Sequence, residues 1–323
     1  MSLEADFLID RRRLRRKLTL WRVLAFVAAA GAVVALGLMS GGKDLIEAQS
    51  SHVARLTLSG LITVDKPTLE AIRRVKDSKS AVAAIVSINS PGGTTTGSEA
   101  IYRELRDLAA AKPTVAVVSG TAASGAYVAA LGTERIIAPE TALVGSIGVI
   151  IQYPNFVKIL DTLGVKVEAV RSSPLKAQPS GVEPTPPEAR QALEASVADS
   201  YDWFKGLVKD RRKLSGADLD KVVDGRVFTG RQALPLRLID EIGSEKEALA
   251  WLEKDKALAK DLKVRDYKRI NPDDKLGLFS LASGTAALFG YDRAAAALAT
   301  TGRGIEAQSL DGLLSIWQPQ GEN

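Results

Sequence analysis

From residue 52 to residue 171 the chain switches repeatedly between two spacings of apolar positions. HVARLTLSGLIT (52–63) alternates apolar and polar residues, the period of a half-buried strand. KPTLEAIRRVKDSK (66–79) reads as a helix and AVAAIVSIN (81–89) as a second strand. SPGG (90–93) breaks the chain, and TTTGSEAIYRELRDLAAA (94–111) returns to helical spacing through Ile101, Leu105 and Leu108. TVAVVSG (114–120) is a third strand, ASGAYVAALG (123–132) a short helix and RIIAP (135–139) a fourth strand. PNFVKILDTLG (154–164) predicts a helix and VKVEAVR (165–171) another strand. Residues 172–188 contain five prolines and read as a loop, after which a long helix runs from Pro187 to Leu214. This alternation predicts an α/β fold, a largely parallel sheet with helices on both faces. Such sheets present binding groups in the turns after strand carboxyl ends, and SPGG and SGTAASG occupy two of them.

A different pattern precedes this region. Residues 23–42 (VLAFVAAAGAVVALGLMSGG) hold no charge over 20 positions. As a helix they reach about 30 Å, the thickness of a bilayer's hydrocarbon core. Six of the seven residues from Arg11 to Lys17 are basic, which puts that end in the cytoplasm and the remainder beyond the membrane, in a periplasm. Trp21 falls at the interface. The run exceeds the usual core of a secretory signal, and no clear A-x-A site follows it, so an uncleaved single-pass anchor is expected. The expected organisation is a basic segment (1–22), an anchor (23–42), a stalk (43–51), a catalytic domain (52–265) and an Ala-rich C-terminal extension (266–323).

Charge and composition then narrow the chemistry. Of the net charge of +5, residues 1–22 supply +4, so the body is nearly neutral and makes no electrostatic claim on nucleic acid. With no Cys there are no disulfides and no thiol nucleophile; with one His there is no multi-histidine zinc site. That residue, His52, begins the first strand beside the stalk and reads as a solvated strand-end residue rather than a general base. Neither a cofactor nor a metal is implied.

Acyl-transfer chemistry therefore needs a Ser activated by a Lys, whose amine must be neutral to accept a proton. Most lysines lie on charge-rich helical faces. Lys176 does not: its neighbours are uncharged from Ser172 to Val182. Among the hydroxyls of VVSGTAASGAYVAA (117–130), Ser124 stands where a strand turns into a helix, beside unpaired backbone N–H groups able to hold an oxyanion. Ser119 and Thr121 fall on the strand end and in the turn. Gly125 lets a substrate backbone approach, and the glycine turn at Pro91–Gly93 offers a second donor.

The ordered set SINSPGG (87–93), SGTAASGAYVAA (119–130), ALVGSIGVI (142–150) and DGRVFTGRQALPLRLIDEIGS (224–244) resembles the bacterial signal peptide peptidases of the SppA kind, over residues 52–250. Two departures, Ala126 and the LPLRLID run, leave these four segments recognisable. The resemblance implies a fold like that of crotonase and the caseinolytic protease subunits, stacked β-β-α units around a curved sheet. It implies Ser124 as nucleophile, Lys176 as general base, Ser146 as support for the lysine, and Gly93 and Gly125 as oxyanion donors. It also implies a homo-oligomeric ring open toward the inner membrane, with Ser and Lys supplied by different protomers, acting on signal peptide remnants and other apolar peptides. An acyl-CoA hydratase or thioesterase on the same fold would share the glycine turns but normally needs carboxylates at the site. A non-catalytic membrane scaffold would use the same glycines only for close packing.

Overall fold

The computed structural model describes residues 17–22 and 50–269. The expected membrane span at 23–42 and most of the C-terminal extension lie outside the described residues. Strands β1 (His52–Ile62), β2 (Ala81–Gly93) and β3 (Thr114–Ala123) form the centre of an eight-stranded sheet, all parallel. β3 splits its far edge between two partners. Its first half, Val115–Val117, pairs with β4 (Arg135–Ala138), and its second, Thr121–Ala123, pairs with β5 (Leu143–Gly145). Past β5 lies β6 (Val227–Thr229), antiparallel; past β4 lies β7 (Glu241–Ile242). The short β8 (Val264–Asp266) covers only the beginning of β1, at Val53–Arg55.

Both faces of this sheet are buried, which is why β2 and β3 are apolar almost without interruption. One face packs against α1 (Lys66–Asp77), α2 (Thr95–Ala111), α3 (Gly125–Leu131) and α5 (Pro187–Arg212), through Ile72, Leu105, Leu108, Tyr127 and Phe204. On the other, Val53, Ile85, Val115 and Ile137 pack against Ala248, Trp251 and Leu252 of α8 (Glu245–Asp255). Between α3 and α5 run α4 (Val157–Thr162) and the loop after it; α6 (Ala217–Asp220) and α7 (Gly230–Ala233) complete the chain order. α2 starts where Thr94 accepts a bond from the Gly97 N–H at 3.2 Å. α8 starts at a reciprocal capping box between Ser244 and Glu247.

α3 is short and entirely buried, so its position is set by its neighbours. Arg211 of α5 donates to the carbonyls of Leu131 (2.9 Å) and Thr133 (2.8 Å), closing the carboxyl end of α3. Tyr127 donates its hydroxyl to the Leu238 carbonyl at 2.7 Å, and burial pushes its ionisation far above the ordinary phenol range. It therefore stays a neutral donor. Tyr127→Phe leaves that buried carbonyl unpaired and is expected to cost about 1–3 kcal/mol, read as a lower midpoint in urea unfolding.

The structure departs from the sequence expectation in four places. SPGG does not end a strand: β2 runs through it to Gly93, with register shifts opposite Ser59–Leu61 and Ile88–Ser90. SGTAA likewise belongs to β3, as a bulge in which Ser119, Gly120 and Thr121 lie opposite Asn89, whose Oδ1 accepts the Thr121 N–H at 3.2 Å. VKVEAVR forms no strand, and α4 is confined to Val157–Thr162. Val165, Val167 and Val170 stand in solvent with no neighbouring strand to bond, so the alternation that predicts a strand lacks its partner. Finally, His52 is not solvated. It is 2% exposed, with Nδ1 2.9 Å from the Ser50 carbonyl and Nε2 3.0 Å from the Tyr267 hydroxyl.

Candidate active site

The site lies at the carboxyl edge of the sheet and follows from register. Thr121, Ala122 and Ala123 pair in parallel with Leu143, Val144 and Gly145, so the next residue on each strand is a serine, Ser124 beside Ser146. Both leave their strands with a left-handed backbone, φ 52° and 51°. L-residues avoid that region, and such conformations persist where surrounding contacts impose them. The Ser124 N–H is drawn to the Gly145 carbonyl (2.8 Å), and its own carbonyl accepts from Tyr127 (2.9 Å) and Val128 (3.1 Å). The Ser146 N–H is held by the Arg226 carbonyl at 2.8 Å. Fixed in this way at the entrance to α3, the Ser124 side chain makes no capping bond to the helix.

The glycines close in from β2. A Cβ on Gly92, which has φ +106°, would fall 2.8 Å from the Ala123 carbonyl oxygen and 2.8 Å from the Gly125 nitrogen. One on Gly125 would sit 2.0 Å from Ser98 Oγ and 3.3 Å from the Gly93 nitrogen. Gly93 and Gly125 are thus brought together beside Ser124. Their orientation also fits. The Thr94 N–H donates to the Ile62 carbonyl at 2.9 Å, and alternate residues of a strand bond to opposite sides, so Gly93 turns its N–H toward Gly125. Gly125 opens α3, where an N–H has no partner within its own helix.

Ser98 is the neighbour the sequence did not announce. It is a buried helix serine bonded to the Thr94 carbonyl, with no pattern to distinguish it from a packing residue. Gly93→Ala tests how tightly this corner is built. The new Cβ would lie 1.8 Å from the Ile62 carbonyl oxygen, so β1 and β2 must separate and the Gly93 N–H moves with them. Loss of one such donor costs at least about 10²-fold in kcat, to be measured on a peptide substrate beside the melting temperature.

Within one chain Lys176 is joined to this corner by no hydrogen bond. It sits on an exposed turn in which its N–H donates to the Ser173 carbonyl at 3.1 Å. Among the described residues its ammonium has no hydrogen bond or ion pair, and none joins it to Ser124 or Ser146. Earlier in the same stretch of chain, Ile150, Ile151, Phe156, Ile159, Leu163 and Leu175 are exposed. His52 is distant from the site by topology: it opens β1, at the amino edge of a parallel sheet whose carboxyl edge holds Ser124. Among the described residues no group of three His, Cys, Asp or Glu comes together to hold a metal ion.

Ser124 thus stands at the start of α3 beside Gly93 and Gly125. Comparison with known proteins identifies the family. Residues 106–259 match the family Peptidase family S49. The chain is 36% identical to a putative protease of Synechocystis over 62% of its own length and 72% of that protein. It is 32% identical to a putative signal peptide peptidase SppA of Enterococcus faecium, over 62% of this chain and 58% of the other. With the chloroplastic serine protease SPPA of Arabidopsis thaliana it shares 31% identity over 85% of this chain and 42% of that protein. The chain belongs to peptidase family S49, the SppA-type serine peptidases.

Proposed function

We propose that the protein is a membrane-anchored endopeptidase of the inner membrane, with its catalytic domain in the periplasm and a Ser124–Lys176 dyad. Its substrates are apolar peptides, cleaved signal peptides among them. The observation that supports this most is the corner formed by Ser124, Gly93 and Gly125. In the reaction, neutral Lys176 accepts the Ser124 proton as Oγ attacks the peptide carbonyl. The N–H groups of Gly93 and Gly125 hold the tetrahedral oxyanion. Protonated Lys176 then gives its proton to the leaving amine, and a water activated by the same lysine hydrolyses the acyl-enzyme. Ser146, one strand over, hydrogen-bonds the lysine.

The lack of any hydrogen bond between Lys176 and Ser124 in a single chain is the reason to place the two halves of the dyad on different copies, in a homo-oligomeric ring opening toward the membrane. The exposed apolar residues between Ile150 and Leu175 supply the surface such a ring would bury. The β3 that splits between β4 and β5 is compatible with stacked β-β-α units of the crotonase type. Residues 52–265 form the peptidase domain in this scheme, with 23–42 as anchor, 43–51 as stalk and 266–323 as an extension.

The deciding experiment is labelling by a serine-directed acylating probe, on wild type, Ser124→Ala and Lys176→Ala, with native mass recorded alongside. Labelling of the wild-type oligomer only is expected. Labelling of Ser124→Ala would remove the nucleophile, and equal labelling of Lys176→Ala would remove the base. A monomeric mass in an active preparation would remove the ring. Activity should rise from neutral to alkaline pH, because the base works only when uncharged.

A further inference from the structure

Lys176 is exposed and lies in no helix or strand, yet a base must be delivered to its nucleophile within a fraction of an ångström. Something must fix the turn. The run Ser172–Val182, uncharged apart from Lys176 itself, is bounded by Arg171 and Glu183, and these two residues meet. Both Arg171 guanidinium nitrogens donate to the Glu183 carboxylate, Nη1 at 3.3 Å to Oε2 and Nη2 to Oε1. Two further donors from inside the loop reach the same Oε1, Gln178 Nε2 at 2.7 Å and Ser180 Oγ at 3.0 Å. One carboxylate thus gathers residues 171, 178 and 180, on either side of Lys176. The pair is half-buried, and Arg171 first, with the Ser180 and Gln178 bonds behind it, holds the Glu183 carboxyl below the usual carboxylate range.

The base of the loop is tied a second time. The Phe156 N–H donates to the Gly181 carbonyl at 2.7 Å, and Gly181, with φ +76°, packs so closely that a Cβ would lie 2.3 Å from the Pro154 carbonyl oxygen. At the top, the Gln178 N–H donates to the Leu175 carbonyl at 3.2 Å, completing the turn around Lys176. Fixed ends and a folded tip make a rigid hairpin of a segment that would otherwise sample many shapes.

We infer that Glu183 is a positioning residue for catalysis, a hub that closes the 171–183 loop and presents Lys176 to the nucleophile. This rests on Lys176 being the general base. Nothing in the chemistry requires Glu183 to touch substrate; it acts through the lysine's placement.

The test uses the full-length, assembled enzyme. Glu183→Gln keeps the size and one acceptor oxygen but removes the charge that holds Arg171. The expected result is a fall in kcat of about tenfold or more with KM little changed, since substrate binding is not the function lost. The acid limb of the pH–rate profile is expected to move as well, because that limb reports the base in the assembled site and its placement is what changes. Glu183→Asp should lie between the two, and Arg171→Glu combined with Glu183→Arg should recover part of the loss. If Glu183→Gln does not assemble, Ser180→Ala and Gln178→Ala each remove one bond and should shift kcat and the limb in the same direction, less far.

Wild-type kcat and an unmoved limb in these variants, with Lys176→Ala inactive, would overturn the hub and leave the dyad standing. Activity in Lys176→Ala would instead remove the dyad, whatever Glu183 does. Activity lost only in proportion to lost oligomer, with the limb unmoved in the assembled fraction, would also overturn the hub.

Discussion

Ser124→Ala is expected to lower peptide hydrolysis by on the order of 10⁴–10⁶-fold, the range over which serine peptidases lose kcat with their nucleophile. The oligomer and the bulk fold should be unchanged, because the side chain caps nothing: its backbone alone bonds to Gly145, Tyr127 and Val128. Ser124→Gly separates function from stability more sharply. The backbone at φ 52° is one that glycine adopts freely and alanine does not. Ser124→Gly should therefore be as inactive as Ser124→Ala but more stable than it, by about 1 kcal/mol, read from denaturation midpoints. An equal stability would mean that the strain at this position is not imposed by the register of β3 on β5. With Ser124 as the proposed nucleophile, its positive φ would be a cost the fold carries for catalysis, and the Ser124→Gly variant should show it.

Lys176→Ala is expected to lose on the order of 10⁴-fold in kcat, and its partner test is complementation. Within one chain Lys176 makes no bond to Ser124 or Ser146. If the dyad is shared between copies, mixing inactive Ser124→Ala with inactive Lys176→Ala subunits creates some sites holding both wild-type residues. Activity should return on mixing under conditions that let subunits exchange, and should rise with the fraction of mixed oligomer. A dyad formed inside one chain gives no recovery at any ratio.

Much of the scaffold was legible from apolar spacing. The helix through Ile101, Leu105 and Leu108 and the three central strands stand where periodicity puts them, because each buries its apolar side chains on a neighbour adjacent in the chain order. The place of Ser124, after a strand and at the start of a helix, was legible too. Four features were not. The end of β2 looks like a turn because Pro91 and two glycines are poor strand formers, yet Gly92 is there for close approach to β3 and α3 and Gly93 for close approach to β1. The pairing of β5 with β6 joins residues about 80 apart, and three-residue strands are too short to show a period. VKVEAVR has the alternation of a strand but no second strand to pair with among the described residues, so its pattern describes a surface rather than an element. The uncharged run around Lys176 was visible; that the two charges bounding it close on each other needed coordinates.

The alternation of bonding along the end of β2 also has a consequence for amide hydrogen exchange. Thr94 and Gly93 are adjacent, but the Thr94 N–H is committed to the Ile62 carbonyl whereas that of exposed Gly93 faces the cleft beside Gly125. In the free enzyme the Gly93 amide should exchange with solvent deuterium well ahead of Thr94, a fast site at the end of a slow strand. A peptide boronate bonded to Ser124 would place an oxyanion against that N–H and should slow its exchange, leaving Thr94 as it was. The difference between two neighbouring amides would then report occupancy of the catalytic corner without any turnover.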